Sequence, residues 1–430
     1  MLKVSLMAGG VSQKAMVALP KNPYDFVPLE GSIRRYPLTS RSGDEGSTLL
    51  LTGKLVCSLK AETPLFIGSG KGLRAPSLRC IPASSIKGAV RAVAEAVSDS
   101  CLSVVSQVYK DRRRGDLRVD LPEEYRPCAD PGSPCFCCRL FGMAEGKEEQ
   151  RESSAGGEKQ GGRGGRVVFS TADFTVNNEG PKMATFKFPA RRMRDGGEAP
   201  MLGKPVPWHE SFYFNMTEEK KEPLGRKFYY HHQDWADTIR TYRKKFKRTF
   251  GERYAEWEVQ AIGADNVSKC EIRFFDLDWD ELNVLLHSLK LEDNMRHHLG
   301  MLKPFGLGSV SISVSSIELR SSGSFMEYGE EPGKRGACPV AWKELRGSVS
   351  SSGRRDLWVN VNSIDWKDVA EQAWSVSGER PRAGEAREKL KEILKWPGEG
   401  VYLYPDLNGF FRIPGAGSIT LKQYQSGERP

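Results

Sequence analysis

Leu49 to Val97 reads LLLTGKLVCSLKAETPLFIGSGKGLRAPSLRCIPASSIKGAVRAVAEAV, and the pattern within it decides the fold. Leu55, Cys57 and Leu59 alternate with Lys54, Ser58 and Lys60, the period-two signature of a half-buried strand, so Leu49 to Ala61 is expected to be the first strand of the core. A glycine-rich loop follows from Gly68 to Cys80. Ser84 to Val97 then changes period: Ile86, Ala89, Val90, Val93, Ala94 and Val97 recur three and four apart and make one apolar stripe on a helix. Ser84 or Ser85 is expected to cap that helix by accepting a backbone N–H. Lys87 and Arg91 lie beside the stripe and Gly88 leaves a gap on the polar side, so the helix can press onto a sheet while offering two cations outward.

Working outward, Arg166 to Phe174 and Cys270 to Phe275 read as strands. Asp278 and Glu281 are spaced as a capping box ahead of Leu282, Leu285, Leu286 and Leu289, which predicts a second amphipathic helix. Ser309 to Leu319 closes the series as a strand in which Val310, Ile312 and Val314 alternate with serines. The order strand, helix, strand, strand, helix, strand is the α+β ferredoxin-like (RRM-like) plan. On this reading residues 1–48 are an N-terminal arm, extended where proline and aromatics crowd Pro20 to Gly31. Residues 49–320 are the core, with a cysteine-rich insertion at about 101–165 and a basic insertion at about 180–265. Met143 to Gly165 is too polar to repay ordering and is expected to be a mobile loop. Residues 321–430 form a C-terminal extension, separate from the core, with helices near Asp365 to Trp374 and Gly384 to Trp396 and an aromatic strand pair around Val401 to Ile413.

The net charge of +9 favours polyanionic partners, since clustered Lys and Arg gain free energy by releasing counterions from phosphates. No apolar run approaches a membrane span, and the residues before Pro20 make a poor secretory signal, so the chain reads as cytoplasmic with no membrane partner. The nine cysteines are an odd number, and Cys128, Cys135, Cys137 and Cys138 crowd together, which points to metal or free thiols rather than a disulfide framework. Cys135 and Cys138 form a C-x-x-C step suited to one Zn²⁺, with Cys128 as the third ligand and Cys101 or a histidine completing the set. Cys137 is a candidate too, although neighbours such as Cys137 and Cys138 cannot both ligate without distortion. The alternative is a group of buried free thiols. The run RTYRKKFKR, Arg240 to Arg248, carries six cations with Tyr242 and Phe246 interleaved. Either its cations and rings hold RNA, with Arg243 and Lys244 foremost, or the two aromatics anchor a helix to the core.

Three stretches taken together resemble the RAMP superfamily of CRISPR-associated proteins: TPLFIGSGKG and IPASSIKGAVRAV within Thr63 to Val93, CFCCRLFG from Cys135 to Gly142, and HHLGMLKPFGLGSVSI from His297 to Ile312. Members show a Pro-x-Ser-Ser-x-Lys-Gly helix start and a glycine-rich loop before the last strand. RKFYYHH, Arg226 to His232, and YDFVPL, Tyr24 to Leu29, resemble a subfamily of single-copy RAMP proteins found beside type III CRISPR genes. The resemblance implies an RNA-binding subunit of an antiviral effector complex, with guide RNA, target RNA and other effector subunits as partners. Taken with the residues, it points to RNA contacts at Lys71, Arg74, Ser84, Ser85, Lys87, Arg91, Arg139 and Lys303, and at Gly306 and Gly308, whose backbone can take positive φ and approach a phosphate closely. The alternatives are solvated charges at Lys71 and Arg74, stems that snorkel along the apolar stripe at Lys87 and Arg91, and a tight turn before the last strand at Gly306 and Gly308. RAMP subunits that cut target RNA use an aspartate between the first strand and first helix, whereas Gly68 to Cys80 holds no Asp or Glu. Asp25, Asp44 or a residue of the long insertions would have to stand in, and nothing in the sequence selects one. Another branch processes precursor guide RNA without metal through acid–base side chains, for which Tyr229, Tyr230, His231 and His232 are the dense group.

Overall fold

The chain was analysed as a computed structural model that describes residues 21–29, 33–36, 50–102, 108–111, 115–118, 121, 123–143, 163–174, 180–200, 210–216, 221–321, 357–359, 361–376, 383–398, 402–404, 414–415 and 419–427. Its elements, in chain order, begin with strand β1 (Tyr24–Val27), strand β2 (Leu51–Ala61), helix α1 (Ala83–Val97) and short helix α2 (Phe136–Phe141). Strands β3 (Val167–Phe169), β4 (Ala172–Asp173), β5 (Met183–Arg192), β6 (Glu198–Pro200) and β7 (Arg226–Tyr229) lead to helix α3 (Trp235–Phe250). Then come β8 (Tyr254–Ile262), β9 (Val267–Leu277), helix α4 (Trp279–Lys290), β10 (His297–His298), β11 (Ser309–Ser321), β12 (Leu357–Val359), α5 (Trp366–Ser375) and α6 (Ala383–Leu394).

The result is a mixed α+β fold around an antiparallel sheet in which β2 lies between β11 and β9, and β9 carries β3 and β4 on its other side. Alternation settles its faces: Leu55, Cys57, Leu59, Cys270, Ile272 and Phe274 turn inward, while Lys269, Arg273 and Phe275 of β9 face outward. Gly53 sits where any Cβ would collide with the Glu318 carbonyl on β11, so the strands can close there only over glycine. Helices α1 and α4 cover the inner face together. Ile86, Val90, Leu282 and Leu286 are all fully buried in one core, and each leucine there contributes about 1.5–3 kcal/mol by leaving water.

Helix α4 begins as its sequence predicts: Asp278 accepts from the Glu281 N–H at 2.8 Å and the Glu281 side chain accepts from the Asp278 N–H at 3.1 Å. Glu281 is 0% exposed, and it also receives Arg139 of α2 and Arg166, each at 2.8 Å. Helix α1 differs from expectation. Its cap is Pro82 and no side chain caps it, so Ser84 and Ser85 lie inside the first turn. The strand expected from Arg166 to Phe174 breaks at Ser170 and Thr171 into β3 and β4.

The basic insertion builds a second layer. Strands β5 and β8 pair from Met183 with Ile262 to Arg191 with Tyr254, and α3 packs against them. Tyr242 and Phe246 are buried with Phe188, Ile239 and Phe305, so they anchor the helix, the second of the two readings open for that run. The same small core holds Phe66, just before one glycine-rich loop, and Leu73 within it, and Leu302 and Leu307 from the other, which fixes both loops to this layer.

Residues beyond 321 were expected as a separate appendage, yet those described are built into the molecule. Strand β12 extends the sheet from β11, and Val369, Ala373, Leu390 and Ile393 complete the main core. Tyr402, Leu403 and Tyr404 enter three different clusters in succession. The expected strand pair around Val401 to Ile413 is represented by an isolated bridge from Tyr402 to Lys21, and residues 405–413 lie outside the described residues. Most of the expected mobile loop, residues 144–162, lies outside them too.

Glu281→Ala removes the acceptor shared by two guanidinium groups and the cap of α4, and is expected to destabilise the protein by about 3–5 kcal/mol. A urea unfolding midpoint unchanged from wild type would contradict that role.

Candidate functional site

Ser84, Ser85 and Gly88 of α1 form one wall of a groove of about 380 Å³. Its other walls are Lys227, Phe228 and Tyr229 of β7 and the turn carrying Gly300 and Lys303, with Leu394 of α6 at one end. Gly88 has open space where a Cβ would stand, which widens the groove beside α1. Lys303 is half-buried, burial holds its ammonium below the usual lysine range, and among the described residues no carboxylate pairs with it. A cation partly removed from water without a counter-ion favours an anionic occupant. No side chain caps the first turn of α1, whose Ser84 and Ser85 line the same groove.

The two glycine-rich loops play different parts. Gly70 and Gly72 have φ of 84° and 76°, are exposed, and have nothing within 4 Å of a Cβ position, so their backbone is open to a ligand beside exposed Lys71. Leu73, buried, pins this loop. Gly306 and Gly308 do take the expected positive φ, but both are buried. A Cβ on Gly306 would lie 2.7 Å from the His232 ring, and one on Gly308 would strike the Leu299 carbonyl. Their conformation serves packing.

Several cations expected to meet RNA are occupied elsewhere. Arg91 turns from the groove to bond Glu95 at 2.8 Å, the Gly142 carbonyl at 2.8 Å and the Cys138 sulfur at 3.4 Å. Arg139 pairs with Asp278 and Glu281 and lies 4.6 Å from the Tyr36 ring centroid. Arg243 binds Glu256 at 2.7 Å, and Arg74 pairs with Glu198 above the Trp257 ring. Lys244 is exposed on α3, and Lys87 is half-buried on α1 with its ammonium lowered by burial.

Cys101, Cys128, Cys135 and Cys138 are all buried, and their sulfurs lie within 4.8 Å of one another. Cys101 is 3.6 Å from Cys138 and 3.7 Å from Cys135. Tetrahedral bonds of about 2.3 Å from zinc to sulfur put the sulfurs about 3.8 Å apart, so the set fits one such ion. The surroundings suit thiolates: Arg35 donates to Cys128 at 2.9 Å, the Cys135 N–H donates to the same sulfur at 3.2 Å, and Arg91 reaches Cys138. Hydrogen bonding from Cys101 leads the effects that bring Cys128 down to about 7. Cys137 does not belong to the group. One residue along α2 turns its side chain by about 100°, and its sulfur meets the Ser98 hydroxyl at 3.4 Å, where burial pushes it up to about 12. Cys101, one of the two expected ways to complete the set, supplies the fourth sulfur, and the candidate Cys137 lies outside the group.

The candidate acid–base residues are largely enclosed. His231 is fully buried, with Nδ1 2.7 Å from the Ser309 hydroxyl and Nε2 donating to the Arg296 carbonyl at 2.9 Å. It stacks on His298 at 3.8 Å. Burial lowers His231 to about 3 and His232 to about 4, so both are neutral at pH 7. Tyr230 donates to Asp25 at 2.9 Å, and Lys389 pairs with the same carboxylate at 2.6 Å. Tyr229 lines the groove. Asp44 lies outside the described residues.

The molecule is an α+β protein with a groove lined by lysines, an open glycine loop and a four-cysteine set suited to a metal ion. The chain belongs to the RAMP superfamily, whose family model matches residues 58–311, more than half of its length. Membership implies a CRISPR-associated role in RNA binding in general terms. No curated protein matches the chain. Among the described residues no helix is long and apolar enough to cross a membrane.

Two outcomes follow from this geometry. Protein purified without added metal is expected to carry close to one divalent ion per chain, lost in Cys101→Ser and Cys135→Ser but kept in Cys137→Ser. Elemental analysis showing equal metal in all three variants would exclude the assignment. His231, His232, His287 and His297 are each lowered by burial to between about 3 and about 4. The unfolded chain therefore binds more protons below its ordinary histidine value of about 6.5. Stability is expected to be intact above pH 6.5 and to fall steadily as pH drops toward 4, read as a declining urea midpoint with His231→Asn flattening the decline.

Proposed function

We propose that the protein is an RNA-binding subunit of a type III-like CRISPR effector complex in antiviral defence, gripping guide RNA by its backbone in the groove beside α1. One observation carries this reading: three motif stretches far apart in sequence, PASSIKG, RKFYY and HHLGMLK, meet in one groove around a lysine that has no carboxylate partner among the described residues. Phosphate fits that lysine, the uncapped first turn of α1 and the backbone at Gly70 and Gly72. The pairing of Tyr24–Val27 with Arg226–Tyr229 also supports the single-copy subfamily, because its two marker stretches are neighbouring strands.

The element order, with β2 central between β11 and β9, supports a ferredoxin-like core, and the four-cysteine centre suits structural Zn²⁺. Guide RNA paired with target RNA and the other effector subunits are the partners this reading requires, in the cytoplasm. The enzyme readings gain less from the geometry. His231 and His232 are buried within hydrogen-bonded packing, and Asp25 is held by Tyr230 and Lys389.

Lys303→Met and Lys71→Ala are each expected to weaken binding of single-stranded RNA of any sequence, and to reduce the slope of log K against log salt by about 0.7. Filter binding across salt concentrations checks this. Unchanged slopes in both folded variants would rule out the groove as the phosphate site.

A further inference from the structure

At the end of the second layer farthest along β5, strand and helix deliver six cations to one place. Arg191 and Arg192 end β5, Arg194 lies in the turn to β6, Lys247 and Arg248 end α3, and Arg253 leads into β8. Their proximity is fixed by pairing: Arg191 sits opposite Tyr254, its guanidinium is 5.6 Å from the Phe250 ring centroid, and Arg192 donates to the Glu252 carbonyl at 3.4 Å. Arg192, Arg194, Lys247, Arg248 and Arg253 are exposed. Among the described residues no carboxylate pairs with Arg191, Arg194, Lys247, Arg248 or Arg253. Among the described residues Arg192 pairs with a carboxylate, Glu198 at 3.8 Å, and Arg191 donates to the Met193 sulfur at 3.3 Å.

Glu198 gives this cap a direction. It also pairs with Arg74 and accepts from the Trp257 indole at 2.8 Å, while Arg74 lies 4.7 Å over the Trp257 ring. One carboxylate thus joins the glycine loop that carries Lys71 to the hairpin that carries Arg192. The start of that loop abuts the groove: a Cβ on Gly68 would lie 3.0 Å from the Met301 sulfur, next to Gly300 in the groove wall. The loop carrying Lys71 and Arg74 thus lies between the groove and the cap, joined to the one through Gly68 and Met301 and to the other through Glu198.

We propose that this cap is a second binding surface, which holds the backbone of a single RNA strand where it continues beyond the groove. The inference rests on the groove reading and extends it by naming where the strand goes. Arg194, Lys247, Arg248 and Arg253 are exposed and have no carboxylate partner among the described residues, whereas the buried and half-buried arginines Arg91, Arg139, Arg166 and Arg226 each hold a carboxylate or a carbonyl. Concentrated positive charge at an exposed end lowers its free energy by displacing counterions from a polyanion, and single strands can follow such a bent path because they are flexible.

The test uses the full chain with Arg194, Lys247, Arg248 and Arg253 all changed to alanine, compared with wild type and with Lys303→Met. Two single-stranded RNAs are titrated against salt, one short enough to occupy only the groove and one several times longer. The cap variant is expected to bind the short RNA as wild type does. It should bind the long RNA about tenfold more weakly, with the salt slope reduced by about 3, or about 0.7 per cation removed. Wild-type affinity for the long RNA would overturn the cap. So would equal losses for both lengths, or loss of binding to an acidic polypeptide with RNA binding untouched. Failure of the groove itself is read separately, as unchanged binding of the short RNA by Lys303→Met.

Discussion

Negative charge on sulfur inside a protein core has to be offset, and that requirement organises much of this molecule. Four sulfurs brought this close are stable together only as ligands of a cation or as thiols that keep most of their protons. The chain answers with positive charge drawn from separate segments. Arg35 comes from the N-terminal region and Arg91 from α1. Arg226, at the start of β7, bonds the Cys101 carbonyl at 3.4 Å and is itself paired with buried Asp99 at 3.2 Å. A cysteine insertion, a core helix and the strand that forms a groove wall are in this way joined at one centre.

The groove inherits its rigidity from that arrangement. Arg91 ties the middle of α1 to Gly142 and Cys138, the helix's inner face packs on the sheet, and Ser84, Ser85, Gly88, Ala89, Ala92 and Val93 line the groove. The opposite wall is held by β1, whose Tyr24 lies under Lys227 at 3.7 Å and packs against Tyr213 and Tyr404. Loops that contact ligands are often mobile, but here both glycine-rich loops insert hydrophobic residues into the second core, so their backbones are preorganised.

Much of this was legible in the sequence wherever one periodicity dominated. The alternation through Leu55, Cys57 and Leu59, the stripe on α1 and the capping box at Asp278 and Glu281 each gave the right element and the right inward face, because a single hydrophobic boundary sets all three. Charged residues beside a stripe were harder. Arg91 and Lys87 look equivalent in sequence, yet a cysteine insertion more than forty residues later claims one of them. Gly306 and Gly308 were read correctly for φ but not for surroundings, since nothing local announces His232 or the Leu299 carbonyl. Cys101 was visible only as an alternative ligand, because its distance along the chain hides that it lies beside Cys135. The same limit applies to the tail, whose apolar residues show no period strong enough to reveal which clusters they enter.

The tail has a consequence for how the protein is made. Leu394 lines the groove, α6 packs on β1 and β7, and Tyr402, Leu403 and Tyr404 join separate clusters late in the chain. A growing polypeptide has its sheet strands, its cysteines and both glycine loops long before it has these residues. The groove is therefore completed only after Leu394 has left the ribosome, well after its other walls have been synthesised.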